Sequence, residues 1–215
     1  SDSAFGGFTG VGERWPAPGL ATSNGFGYLY ETFVPVVNRP DSADIRQVLR
    51  FDTLPRIVSA TDTTLITSLR DSKLLLVLDT ARSSIPRVGT TTVSLYDVDD
   101  TNAGNDTVPR SLAARFIPSR LIARRTFTRA EVLADTITGF GSAATSRSFG
   151  VAIPDTVMLR FVRSARRLRI GVQVTSPASA ALRFVAPSVN SEGLVPRLTY
   201  DPSPDTAIKA WLVST

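Results

Sequence analysis

The densest group of chemically useful side chains lies between positions 97 and 106. Six Asp and Asn side chains occur there: Asp97, Asp99, Asp100, Asn102, Asn105 and Asp106. Closely spaced carboxylate and amide oxygens on a loop are the ligands that Ca²⁺ binds in proteins. The spacing departs from an EF-hand loop, because Asn102 stands where the glycine of the tight turn belongs. A solvated turn rich in Asp and Asn explains the same residues without an ion. We favour that turn over a calcium site formed by Asp97, Asp99, Asp100 and Asn102.

No histidine and no cysteine occurs among the 215 residues. Histidine is the side chain that ordinarily titrates near neutral pH, and cysteine supplies thiolate nucleophiles and soft metal ligands. Their absence excludes Ser-His-Asp and Cys-His catalysis and the ordinary zinc, copper and haem sites. Among the four glutamates and the aspartates, no carboxylate pair stands out for glycoside hydrolysis. We therefore expect a protein that is not an enzyme, with no catalytic residues and no cofactor.

Arginine dominates the basic residues. The net charge is +5, and only Lys73 and Lys209 of the 24 basic residues are lysines. Two clusters stand out: Arg120, Arg124, Arg125 and Arg129, then Arg160, Arg163, Arg166, Arg167 and Arg169. Because guanidinium groups bind carboxylates and phosphates in a bidentate manner, we take Arg124, Arg125, Arg167 and Arg169 as candidate contacts to an acidic partner. A coding bias and a charged outer sheet face are the alternatives. No nucleic-acid recognition motif is present, so we expect no nucleic acid partner.

Residues 1–27 differ in composition from the rest of the chain. They contain seven of the 14 glycines and several scattered aromatic residues, including Phe5, Phe8 and Trp15. A segment with high chain entropy and no periodicity is not expected to fold alone. Aromatic side chains on such an arm suit a partner's pocket, and an arm laid across its own domain is the alternative. We predict an extended arm over residues 1–27 and one domain over residues 28–215.

Short segments rich in β-branched and aromatic residues alternate with Pro, Gly, Asn and Asp beyond the arm. The predicted strands are Tyr28–Val37, Arg46–Phe51, Thr63–Leu69, Ser72–Asp79, Val93–Val98, Met158–Val162, Arg167–Thr175, Leu182–Ala186 and Arg197–Tyr200. Regular spacing of short strands with turn residues between them predicts an all-β fold. We expect a single antiparallel β-sandwich of jelly-roll type.

A hairpin is predicted over residues 157–175. In its return strand, apolar residues recur at every second position: Leu168, Ile170, Val172 and Val174. This period places them on one face, in the core, and Arg167, Arg169 and Gln173 on the opposite face, which we expect to be wet or at an interface.

One short helix is expected near residue 130. Thr128 and Glu131 have the spacing of a capping box and precede the apolar Val132 and Leu133. A second helical turn is expected around Ser111–Phe116.

The chain has no apolar run near the roughly 20 residues that a membrane-spanning helix needs. It begins at Ser1 without a leader, which we interpret as a mature, exported product. An absence of cysteine fits an exported bacterial protein that needs no disulfide. We expect an extracytoplasmic, periplasmic location, and a lipid-modified residue just upstream of Ser1 is a further hypothesis.

Several strand patterns carry a family resemblance over roughly residues 28–202. The stretch Val48-Leu49-Arg50-Phe51-Asp52, followed by Leu54-Pro55, resembles the core strand of DNRLRE-type bacterial surface domains. Similar patterns follow in the same order: Leu74–Leu78, Thr92-Val93-Ser94-Leu95-Tyr96, Leu182-Arg183-Phe184 and Pro196-Arg197-Leu198-Thr199-Tyr200. The resemblance implies an exported jelly-roll module, like a carbohydrate-binding module, that often binds polysaccharide. The family's loop tryptophans are missing, because the chain has none between Trp15 and Trp211.

These observations lead to one functional expectation and one alternative. We expect a non-catalytic accessory or structural subunit that docks on the protein subunits of a larger membrane-associated assembly through its arm and its arginine faces. An extrinsic subunit of a bacterial photosynthetic reaction-centre and antenna complex would be one instance. The alternative is a carbohydrate-binding module for anionic polysaccharide, which would match the arginines.

Overall fold

The fold is built mostly from antiparallel strands. The computed structural model describes residues 10–15, 24–26, 33–39, 43–51, 54–58, 63–99, 112–134, 146–164, 168–185, 196–202 and 208–211. The strands are β1 (Gly10–Trp15), β2 (Asn24–Phe26), β3 (Phe33–Arg39), β4 (Ala43–Phe51), β5 (Leu69–Asp79), β6 (Thr91–Asp97), β7 (Leu121–Phe127), β8 (Ser146–Ala152), β9 (Leu168–Thr175), β10 (Ala180–Val185), β11 (Arg197–Pro202) and β12 (Ile208–Trp211). Two helices, α1 (Arg129–Ala134) and α2 (Asp155–Ser164), and a 3₁₀ turn (Pro118–Arg120) complete it. The predicted all-β sandwich class is confirmed.

The register of β4 shows how one continuous sheet curls into two layers. Ile45 pairs with Arg14 of β1 and with Val37 of β3, so β1 and β3 lie along opposite edges of β4. Leu49 pairs with β1 and with Ile170 of β9, so β9 follows β3 along the same edge. The first layer therefore has the order β2-β1-β4-β9-β6-β7, and β3 leads away from it into the second layer.

The second layer is organised around the long strand β5. Leu74 pairs with Leu198 of β11 on one edge and with Val151 of β8 on the other. Further along, Leu78 pairs with Phe184 of β10, which in turn pairs with β3. β8 thus borders one edge of β5, and β11 and β10 follow each other along the opposite edge.

The main core lies between the two layers. The four alternating residues of β9, from Leu168 to Val174, are all buried there, as the period of two predicts. They join apolar residues of β5 and a chain of rings in which Phe149 lies 5.0 Å from Phe127 and 5.8 Å from Phe184, centroid to centroid. Tilted and edge-on contacts at these distances are favourable for aromatic rings.

A helix, α2, occupies the position of one predicted strand. The prediction that Met158–Val162 forms the first half of a hairpin is wrong, because Met158, Phe161 and Val162 are buried at helical spacing. The helix begins where Pro154 accepts backbone hydrogen bonds from Val157 and Met158, at 2.9 and 3.0 Å. Asp155 accepts a hydrogen bond from the backbone of Ser72 at 3.0 Å, which ties the start of the helix to β5.

The predicted capping box is confirmed at α1. The Thr128 hydroxyl accepts a hydrogen bond from the Glu131 N–H at 3.3 Å, and the Glu131 carboxylate accepts one from the Thr128 N–H at 2.5 Å. This reciprocal pair satisfies N–H groups that the start of a helix leaves unpaired. The second helical turn is present as well, because Arg115 and Phe116 donate to the carbonyls of Leu112 and Ala113.

The described parts of the N-terminal arm pair with the domain. Gly10–Trp15 runs antiparallel along β4, and Asn24–Phe26 pairs with β1. In these two stretches the arm lies across its own domain, which was the alternative to docking on a partner.

Other strand predictions differ in part from the structure. The predicted strand Thr63–Leu69 is wrong over most of its length, since residues 63–68 contribute only an isolated bridge between Ile57 and Leu65. Strands β1, β2, β7, β8 and β12 were not predicted as strands. In the described part of the chain, neither helix has the length and apolar character that crossing a membrane requires.

Candidate functional site

The outer face of β4, β9, β6 and β7 carries a band of polar side chains. Val93 and Leu95 of β6 point into the core, so Thr92 and Ser94 point outward. Ser94 lies opposite Arg124 of β7 and Gln173 of β9, and Thr92 lies opposite a threonine on each neighbouring strand. We call this band the polar sheet face; its members are Asp44, Arg46, Thr92, Ser94, Arg124, Thr126, Gln173 and Thr175.

One end of the polar sheet face is an internally bonded network. The Arg46 guanidinium contacts Asp44 Oδ2 through Nη2 at 2.6 Å and through Nε at 2.9 Å. The Gln173 amide oxygen accepts from the same two nitrogens at 3.1 Å when its amide is oriented to satisfy both of its ends. Because both bonds to Asp44 are charge-assisted, they fix the side chains before any partner arrives.

The other end of the polar sheet face is more open to solvent. Arg124 and Thr126 are exposed on the outer strand β7, and Thr92 and Thr126 share a hydroxyl hydrogen bond of 2.8 Å. An exposed arginine thus stands beside a row of hydroxyl groups on the hydrogen-bonded sheet.

An apolar patch covers the neighbouring part of the same layer. Val48, Val98 and Leu112 are buried together, with Tyr96 and Phe116 packed against them. The Phe116 ring lies directly on β9, since a Cβ added to Gly171 would be 2.5 Å from its Cζ. Only glycine allows the ring to approach the strand this closely. We call residues 112–120, which carry Phe116, the covering segment.

Two arginines hold the covering segment and the start of the acidic loop. Arg169 Nη1 donates to Asp99 Oδ1 at 2.8 Å, and these residues are only 6% and 8% exposed. Arg120 Nη1 donates to the backbone carbonyls of Asp97 and Asp99, at 3.0 and 2.8 Å. These bonds join the loop after β6 to β9 and to the 3₁₀ turn.

The structure assigns the described aspartates to loop anchoring. Asp97 Oδ1 accepts a hydrogen bond from the Asp99 N–H at 3.2 Å, which is the local bond of an Asp-rich turn. The Asp99 carboxylate is engaged by Arg169. Asp100 and Asn102, the other two calcium candidates, lie outside the described residues. Within the described ranges, no group of three or more acidic side chains is placed to hold a metal ion.

The arginines and aromatic residues that were predicted to contact a partner lie in environments that differ from one another. Arg124 is exposed, as expected, whereas Arg125 is half-buried and binds within the domain. Arg169, which was expected on a face that is wet or at an interface, is instead buried within the domain against Asp99 of the loop after β6. Trp15 ends β1 opposite Asp44. Phe5, Phe8 and Arg167 lie outside the described residues.

A polar cleft of about 440 Å³ opens beside the Arg120 network. One wall is formed by Asp97 and by residues around the start of β7; the other is formed by α2. Its lining residues are Asp97, Ser119, Arg120, Leu121, Ile122, Arg160, Phe161 and Ser164. Sequence reasoning missed this cleft, because a strand at residues 158–162 followed by a turn does not form the helical wall that α2 provides. Arg160 and Ser164 are four residues apart in α2, so they lie about one turn apart on the same side of the helix.

Comparison with known proteins assigns no family to this chain. No protein-family model matches the sequence, and no curated protein matches it. The resemblance to DNRLRE-type domains therefore stays a prediction.

Proposed function

We propose that the protein is a non-catalytic accessory subunit, which docks through the polar sheet face on an acidic surface of a larger assembly outside the cytoplasm. The observation that carries the proposal is the position of Arg124. Its side chain is exposed on a sheet face in which neighbouring polar groups are already bonded to one another.

The shape of the polar sheet face favours a macromolecular partner. Sites for small molecules are concave, whereas this face is formed by adjacent strands whose side chains stand in rows. Arginine is enriched at protein–protein interfaces, where its planar group forms bidentate pairs with carboxylates. Arg124 therefore suits a partner that presents Asp or Glu on a flat surface.

The rigidity of β7 also supports docking. Arg125, next to Arg124, donates from Nη1 to the Gly150 carbonyl of β8 at 3.0 Å, and its guanidinium lies 4.6 Å from the centre of the Phe149 ring. These contacts hold β7 against β8, so the strand that presents Arg124 is fixed on both sides. Little conformational entropy is then lost when a partner binds.

Co-purification from native membranes tests the proposal. The tagged full chain should recover its partner, and Arg124→Glu should reduce that recovery at least tenfold, because it places a carboxylate opposite an acidic surface. The matched control is Arg183→Glu, which changes an exposed strand arginine on β10, in the other layer. Equal recovery by Arg124→Glu and Arg183→Glu would contradict docking through this face.

Thermal unfolding must accompany the comparison. Substitution of an exposed strand residue away from buried contacts usually changes stability by less than about 0.5 kcal/mol. A folded Arg124→Glu variant that no longer recovers the partner has lost an interface contact, not its fold.

A further inference from the structure

We propose that the polar cleft binds the C-terminal carboxylate and last side chain of a peptide from a partner protein. This proposal rests on the proposed docking function for the source of the peptide. It concerns a second contact, on the side of the domain where α2 meets the start of β7.

The charges that line the cleft favour a ligand with one negative charge. Arg120 and Arg160 contribute two guanidinium groups and Asp97 contributes one carboxylate, giving a net charge of +1 among the described lining residues. A peptide C-terminus carries one carboxylate. A doubly charged phosphate or an acidic side chain beside the terminus would bring extra negative charge toward Asp97, which is unfavourable.

Arg160 is the residue best placed to receive the carboxylate. It is exposed on α2, and its guanidinium lies 5.5 Å from the centre of the Phe161 ring. Arg120 stands on the opposite wall, where two backbone carbonyls hold its Nη1. A planar guanidinium matches the two oxygens of a carboxylate in a way that a hydroxyl group or an amide cannot.

The remaining lining groups match a peptide backbone and an apolar side chain. The Ser164 hydroxyl donates to the Phe161 carbonyl at 2.7 Å, so its oxygen is left to accept hydrogen bonds. Half-buried Leu121, with Ile122 and Phe161 behind it, offers an apolar wall for the last side chain. A volume of about 440 Å³ suits a short peptide end better than a folded surface.

Two peptides that differ only at the terminus provide a sharp test. The probes are N-acetyl-Gly-Ala-Leu as the free acid and as the C-terminal amide, and binding to the full chain is followed by NMR shift changes. The free acid should bind at least tenfold more tightly, with shifts centred on residues 119–122 and 160–164. Equal binding of acid and amide, or no binding of the acid at millimolar concentration, would overturn the proposal.

Variants assign the binding to the cleft. Arg160→Gln should weaken binding of the free acid at least tenfold. Arg163→Gln is the control on the same helix, because Arg163 donates to the Thr67 carbonyl and does not line the cleft. A third peptide, N-acetyl-Gly-Glu-Leu, places an acidic side chain beside the terminus. Asp97→Asn retains an Asx turn and removes the negative charge of the cleft wall. This variant should therefore improve binding of N-acetyl-Gly-Glu-Leu relative to N-acetyl-Gly-Ala-Leu. Loss of binding in Arg163→Gln equal to that in Arg160→Gln would place the peptide elsewhere.

A saccharide probe tests the alternative ligand class, an acidic sugar. Glucuronate also carries one carboxylate, together with hydroxyl groups, and tighter binding of glucuronate than of the peptide would overturn the peptide proposal in favour of an acidic sugar. Arg124→Glu should bind the free acid as the unsubstituted chain does. Failure of docking through the polar sheet face and failure of peptide binding in the cleft are therefore measured separately.

Discussion

Arg169 and Asp99 form an ion pair beneath the covering segment, with Nη1 2.8 Å from Oδ1 and both side chains almost completely removed from solvent. Their positions are 70 residues apart in the chain. The pair therefore connects the strand β9 to the loop that follows β6, and Arg120, at the end of the covering segment, binds two carbonyls of the same stretch.

The first prediction concerns this ion pair. Asp99→Asn removes the carboxylate that binds the buried Arg169 guanidinium, so the free energy of unfolding should fall by about 3–5 kcal/mol. Urea denaturation measures this change in the free energy of unfolding. The control is Asp71→Asn, which removes an ion pair with Lys73 in which the Asp71 side chain is 64% exposed; it should change stability by less than about 1 kcal/mol. Similar losses in the two variants would contradict the structural role of the buried pair.

The second prediction concerns Gly171. Alanine places a Cβ 2.5 Å from Phe116 Cζ and 2.7 Å from Val98 Cγ1, so the covering segment must move. Overpacking of this kind costs about 1–3 kcal/mol. Gly150→Ala is the control, since its Cβ meets only the Leu75 side chain, at 3.3 Å.

A double-mutant cycle isolates the contact between Gly171 and Phe116. Gly171→Ala should destabilise a Phe116→Ala chain less than the unsubstituted chain, because the ring is gone. Additive changes in the free energy of unfolding would show that the Phe116 ring is not what excludes a larger side chain at position 171.

The third prediction compares two adjacent arginines of β7. Arg125→Met removes the hydrogen bond to the Gly150 carbonyl and the contact with the Phe149 ring, so stability should fall by about 1–3 kcal/mol. Arg124→Met should change stability by less than about 0.5 kcal/mol and should reduce partner recovery. Thermal unfolding and co-purification are measured on both variants. A stable Arg125→Met chain would show that Arg125 does not hold β7 against β8.

The fourth prediction concerns the capping box of α1. Thr128→Ala removes the side-chain acceptor of the Glu131 N–H, which should cost about 1 kcal/mol. Thr90→Ala, at an exposed loop position, is the control and should be within about 0.5 kcal/mol of the unsubstituted chain. Chemical denaturation distinguishes these values.

The fifth prediction concerns alkaline pH. Burial raises the pKa of Tyr200 well above its ordinary value of 10.0, and its hydroxyl lies 3.3 Å from the Pro55 carbonyl. Below pH 10 the phenol is protonated in both the folded and the unfolded chain, so it adds no pH dependence. Above about pH 10 it ionises only in the unfolded chain, so Tyr200 lowers stability by up to about 1.4 kcal/mol per pH unit.

Urea denaturation between pH 8 and pH 11 tests this dependence. Tyr200→Phe should flatten the decline above pH 10. An unchanged decline in Tyr200→Phe would contradict a selectively raised pKa.

The sequence predicted those features that depend on local spacing. Alternation along β9 identified four buried residues, and the capping box identified the start of α1. It failed for α2, where Met158, Phe161 and Val162 suit a helix at period 3.6 as well as part of a short apolar strand. The Pro154-Asp155 start was the signal that could have distinguished the two.

The sequence by itself determined that the chain has strands in an antiparallel order, that it lacks histidine and cysteine chemistry, and that its basic groups are arginines. The tertiary structure decided what each arginine does. Arg124 is exposed, Arg125 binds β8, and Arg169 is buried against Asp99, although all three have the same side chain. The physical reason is that burial and ion pairing depend on which distant segment packs over a strand, and the local spacing of residues carries no information about that packing.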